Sequence, residues 1–137
     1  MSVAVVASDS PEGREALVRA VEEAKLRGLE LVALAVVDSN TVTEEDREAT
    51  TLATKQILDS RGISDAELTV RVEPDAGDPA GAIVDLVADT GATLLVIGSR
   101  RRSAVGKFLM GSTVQRVLLD SPVPVLVVKS PEGSGTR

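Results

Sequence analysis

Short apolar runs alternate with amphipathic stretches along the whole chain. Val3 to Ala7 is continuous, short and bounded by Ser8-Asp9-Ser10-Pro11, which predicts a first buried strand. Ser10 then offers a capping hydroxyl and Pro11 a first helical position that needs no N–H, so a helix starts here. Leu17, Val18, Val21, Ala24 and Leu29 form its apolar stripe, and Gly28 stops it. Glu30 to Val37 predicts a second strand. Thr43 with Asp46 three residues later opens a long polar helix that ends at Arg61-Gly62. Between Ala66 and Glu73 the pattern alternates, with Leu68, Val70 and Val72 on one side, as in a half-exposed strand. Asp78-Pro79 starts a third helix whose apolar face is Ile83, Val84, Leu86 and Val87 and whose stop is Gly91. Ala92 to Ile97 is a fully apolar strand and Gly98 to Met110 a loop. Ser112 opens a last helix over Val114, Val117 and Leu118, and Pro124 to Lys129 is the final strand.

Five strands separated by helices, the central ones apolar throughout, predict an α/β protein with a parallel sheet covered on both faces. In such sheets ligands bind beyond the carboxyl ends of the strands, near the point where strand order reverses. Here those ends are Ser8-Asp9, Val37-Asp38, Glu73 and Gly98-Ser99. The 137 residues fit one domain, expected over residues 1–129 with a flexible tail at 130–137.

Composition narrows the chemistry by what it lacks. There is no His, Cys, Trp or Tyr, and the only aromatic residue is Phe108. This excludes Ser-His-Asp and Cys-His catalysis, thiolate or imidazole metal sites, disulfides and aromatic base-stacking platforms. Fifteen basic residues against twenty-one acidic give a net charge of −6, which argues against general nucleic-acid binding. The longest apolar run, Leu31 to Val37, has seven residues, against about 20 needed to cross a bilayer. The first residues carry no secretory signature, so a cytoplasmic location away from membranes is expected.

Charge is unevenly distributed. From Thr90 to Leu119 there is no acidic residue, while Arg100, Arg101, Arg102, Lys107 and Arg116 are all basic. These residues are read either as a solvated loop balancing acidic neighbours or as an anion site. Gly and Ser interleaved with the arginines favour the anion site. The open amides and positive dipole end of the helix that follows suit phosphate. Gly111 allows close approach to the backbone and Ser112 adds a hydroxyl. The competing reading makes Ser112 a helix cap and Gly111 a turn residue. Gly106-Lys107 is not a P-loop of the GxxxxGK[ST] type, because the first glycine position is Arg101 and the residue after Lys107 is Phe108.

Gly98, the nine residues from Arg102 to Met110, Gly111-Ser112 and then Pro124-Val125-Leu126-Val127-Val128 resemble the universal stress protein family. That family carries G-x2-G-x9-G-[ST] before its last helix and a strand close to PVLVV after it. Ser10-Pro11-Glu12, Val36-Val37-Asp38 and Gly77-Asp78-Pro79-Ala80 are also similar, so the resemblance spans residues 3 to 129. It implies a Rossmann-like open five-stranded parallel sheet in the order 3-2-1-4-5 with helices on both faces. By position it places Val6, Val36, Ile97 and Gly98 around an adenosine and Gly111, Ser112 and Thr113 around phosphate, with Arg100 and Arg101 beside them. The implied ligand is ATP, with Mg²⁺ through its phosphates, or alternatively AMP or cyclic AMP.

Two positions depart from the family pattern. The acidic residue ending the first strand falls on Ser8, with Asp9 one place later, and a shift of one residue turns a side chain to the opposite face. The second glycine falls on Arg101. Either the loop runs differently there, or the Arg101 guanidinium leans into the phosphate site in place of backbone donors. These departures carry a second reading, a dimeric interaction module that binds no nucleotide. A third, a phosphoacceptor receiver domain using Asp9, Ser99 and Lys129, lacks the acidic pair after the first strand and an Asp directly ending the third, where Glu73-Pro74 stands. No convincing general base stands out, so the chain is not expected to be an enzyme beyond slow ATP hydrolysis or self-phosphorylation. The family order puts the last strand at the sheet edge, where Val125 to Val128 predict a homodimer by antiparallel strand pairing.

Overall fold

In the computed structural model, which describes residues 1–100 and 110–130, the alternating pattern becomes nine elements in chain order. They are β1 (Ser2–Val6), α1 (Pro11–Arg27), β2 (Glu30–Val37), α2 (Glu44–Ser60), β3 (Leu68–Pro74), α3 (Pro79–Asp89), β4 (Ala92–Ser99), α4 (Ser112–Asp120) and β5 (Val125–Lys129). All strand pairs are parallel and the sheet order is β3-β2-β1-β4-β5, as expected. In register, Val3 of β1 lies between Leu31 of β2 and Leu94 of β4.

The period of two along each strand divides the core between the two faces. Val3, Val5, Ala33 and Val96 pack under α1 and α2, against Ala16, Leu17, Ala20, Val21, Ala24 and Leu58. Ala4, Val32, Leu34, Leu95 and Ile97 pack under α3 and α4, against Ala80, Ile83, Leu86, Val87 and Val117. Every strand residue of β1 except Val6 is buried, because both faces of this central strand are covered.

Three helices begin as local chemistry dictates. Ser10 Oγ accepts from the Gly13 amide at 3.1 Å, and Gly28 ends α1 in the left-handed region at φ 64°. Thr43 and Asp46 form a reciprocal capping box at 3.2 and 2.9 Å. Asp78 Oδ1 accepts from the Gly81 amide at 3.2 Å, ahead of Pro79 at the first helical position.

Several boundaries move from their expected places, each for a pairing reason. β1 runs Ser2–Val6 rather than Val3–Ala7, because Ser2 already pairs with Glu30 and Ala92. β3 starts at Leu68, where it meets Leu31 of β2, and runs on to Pro74, tolerated because an outermost strand needs few donors. β4 extends two residues past Ile97, since Gly98 and Ser99 pair with Val128 and Lys129. β5 begins at Val125. Pro124 has no N–H to give, although its carbonyl accepts from the Leu95 amide at 3.0 Å. Arg101 and Arg102 lie outside the described residues, as does the predicted tail apart from Ser130, which is buried.

Candidate functional site

The ends of β1, β2 and β4 lie side by side at one end of the parallel sheet, and α4 packs on one of its faces. Val6 and Val36 are half-buried and Ile97 is buried, and all three belong to the α3/α4 face. Val114, in the first turn of α4, packs against the same cluster. The structure therefore brings the expected adenosine residues Val6, Val36 and Ile97 to one side of the sheet, together with the helix expected to hold phosphate.

That helix starts differently from the other three. Its cap is Gly111, at φ −65° and ψ 160°, and among the described residues no side chain accepts from its first turn. Ser112 is the first helical residue and not the cap, which removes the competing reading in which its hydroxyl is consumed by capping. Gly111 and Ser112 are exposed and Thr113 half-buried. A Cβ added at Gly111 would meet nothing within 4 Å, so space adjoins the open amides. Gln115 steadies the entry by donating its side-chain amide to the Met110 carbonyl at 2.8 Å. Arg116 reaches Asp78 at 3.3 Å and Asp120 at 3.6 Å, tying α4 to the cap of α3.

Gly98 sits in the same strand end but faces the other way. A Cβ there would press into the Glu12 carbonyl oxygen, 2.6 Å from its carbon and 3.0 Å from the Gly13 nitrogen. Gly13 is held in turn against Ser8, with an added Cβ falling 2.5 Å from the Ser8 carbonyl oxygen. This glycine pair lets the start of α1 lie directly on the end of β4. Close packing against α1 is one reason for a glycine at position 98, and its missing side chain opens toward α1.

Ser8 and Asp9 also belong to the α1 side. Ser8 Oγ lies 2.8 Å from Ser10 Oγ and accepts from the Ser10 amide at 3.3 Å, so it serves the turn into α1. Asp9 Oδ1 takes two hydrogen bonds from Arg14, at 2.8 and 3.0 Å, with its side chain 78% exposed. Both line a cavity of about 270 Å³ between α1 and α2, walled by Ala7, Ala35, Ala49 and Ala53. The one-residue displacement from the family position thus coincides with a commitment to α1. Arg100 is exposed at the end of β4, and Arg101 lies outside the described residues.

Sheet order removes the receiver-domain arrangement. The end of β3, the outermost strand on one side, is separated by β2 and β1 from Ser99 of β4. Ser99, two positions after Ile97 in β4, is 1% exposed, and its Oγ has no hydrogen-bond partner.

An open parallel sheet of this order, with an uncapped helix start beside three apolar strand ends, defines a Rossmann-like α/β protein. The universal stress protein family model matches residues 1–129, and the chain belongs to that family. It is 33% identical over 124 residues to a universal stress protein of Mycolicibacterium smegmatis, covering 89% of this chain and 92% of that one. Among solved structures, a universal stress protein from Archaeoglobus fulgidus superposes with a TM-score of 0.76 at 28% identity, over 94% of this chain and 98% of its own. A universal stress protein from the same organism in complex with dAMP gives 0.70 at 24% identity, with the same coverage. A universal stress protein in complex with cAMP gives 0.63 at 22% identity, over 94% and 97%. These last two establish the shared fold. No helix among the described residues is long and apolar enough to cross a membrane.

Proposed function

We propose that this chain is a cytoplasmic stress-response protein that binds an adenine nucleotide at the carboxyl ends of β1, β2 and β4. The observation that carries the reading is the unshared first turn of α4, on the same face as Val6, Val36 and Ile97. Apolar strand ends suit an adenosine, and open helix amides with Ser112 and Thr113 suit its phosphate. The complexes of structural relatives with dAMP and cAMP support the class of ligand. ATP is the nucleotide we favour, its Mg²⁺ arriving on the phosphates. Among the described residues no group of three carboxylates could hold a metal by itself, and Asp9 is engaged by Arg14.

Isothermal titration with ATP and Mg²⁺, AMP and cyclic AMP tests this, alongside mass spectrometry of small molecules released on denaturation. Saturable binding of one nucleotide per chain is expected. No heat from any of the three and no nucleotide released would overturn the reading. The second reading, an interaction module without nucleotide, draws on the engagement of Ser8 and Asp9 with α1. Binding that appears only after Arg101→Gly would favour it.

In either case the chain pairs with a second copy through β5. β5 ends the sheet order, so one edge meets β4 and the other meets no strand among the described residues. Val125 to Val128 are only half-buried. Sedimentation at micromolar concentration is expected to show a dimer, and a 14.2 kDa species alone refutes it.

A further inference from the structure

We draw no further inference here: the strongest candidate, the apolar cavity of about 270 Å³ between α1 and α2 walled by Ala35, Ala49, Ala53 and Ile57, carries none because nothing in the structure shows what covers it.

Discussion

Gly98 and Gly111 occupy two positions of one family motif, yet their surroundings differ, and replacing each by Ala separates the two. At Gly98 a methyl group would enter backbone atoms of α1, 2.6 Å from the Glu12 carbonyl carbon and 3.0 Å from the Gly13 nitrogen. Backbone held by a helix cannot swing aside as a side chain does, so either α1 or the end of β4 must shift. Overpacking of this kind costs about 2–3 kcal/mol. For a chain of 137 residues that lowers the thermal midpoint by roughly 7–10 °C. At Gly111 the same methyl group meets nothing within 4 Å and φ is −65°, which any residue adopts. Gly111→Ala is therefore expected within about 0.5 kcal/mol of wild type, or roughly 2 °C. It should nevertheless weaken AMP severalfold, because the methyl group stands beside the open amides. Differential scanning calorimetry of the ligand-free proteins, followed by titration with AMP, reads both effects. A Gly98→Ala midpoint within a degree of wild type would refute the packing account of that glycine. A Gly111→Ala protein that unfolds as early as Gly98→Ala would refute the contrast.

Gly28→Ala should destabilise by about 1–2 kcal/mol, because Gly28 holds φ 64° at the end of α1; an unchanged urea midpoint would contradict this. Thr43→Ala should cost about 1 kcal/mol through loss of the Asp46 amide acceptor, with Thr43→Ser close to wild type in the same assay. Hydrogen bonds from Arg19 and Arg27 hold the Glu23 carboxyl below its usual range. The unfolded chain therefore takes up this proton first as pH falls. The stability that Glu23 contributes is full above the ordinary carboxylate value of about 4.3 and declines below it. Urea midpoints of wild type and Glu23→Gln should converge as pH is lowered from 6 toward 3, and a constant difference would refute the assignment.

The elements and their caps were legible from the chain because they depend on residues close in sequence. Ser10 meets Gly13, Thr43 meets Asp46 and Asp78 meets Gly81 within one helical turn, and apolar runs mark strands wherever both faces are covered. The family motif extended this to strand order and to the residues gathered at the strand ends. What required the tertiary structure depends on residues far apart in the chain. Gly98 is explained only by the start of α1 lying on it, and the ends of β3 and β4 only by their ladders with β2 and β5. Two local details are also settled only in the folded chain: Arg14 holds Asp9, and Gly111 rather than Ser112 caps α4. Ser99 illustrates the division best: alternation sets its face from sequence alone. Whether its hydroxyl is buried and unpaired depends on every group packed around it, and only the folded chain decides that.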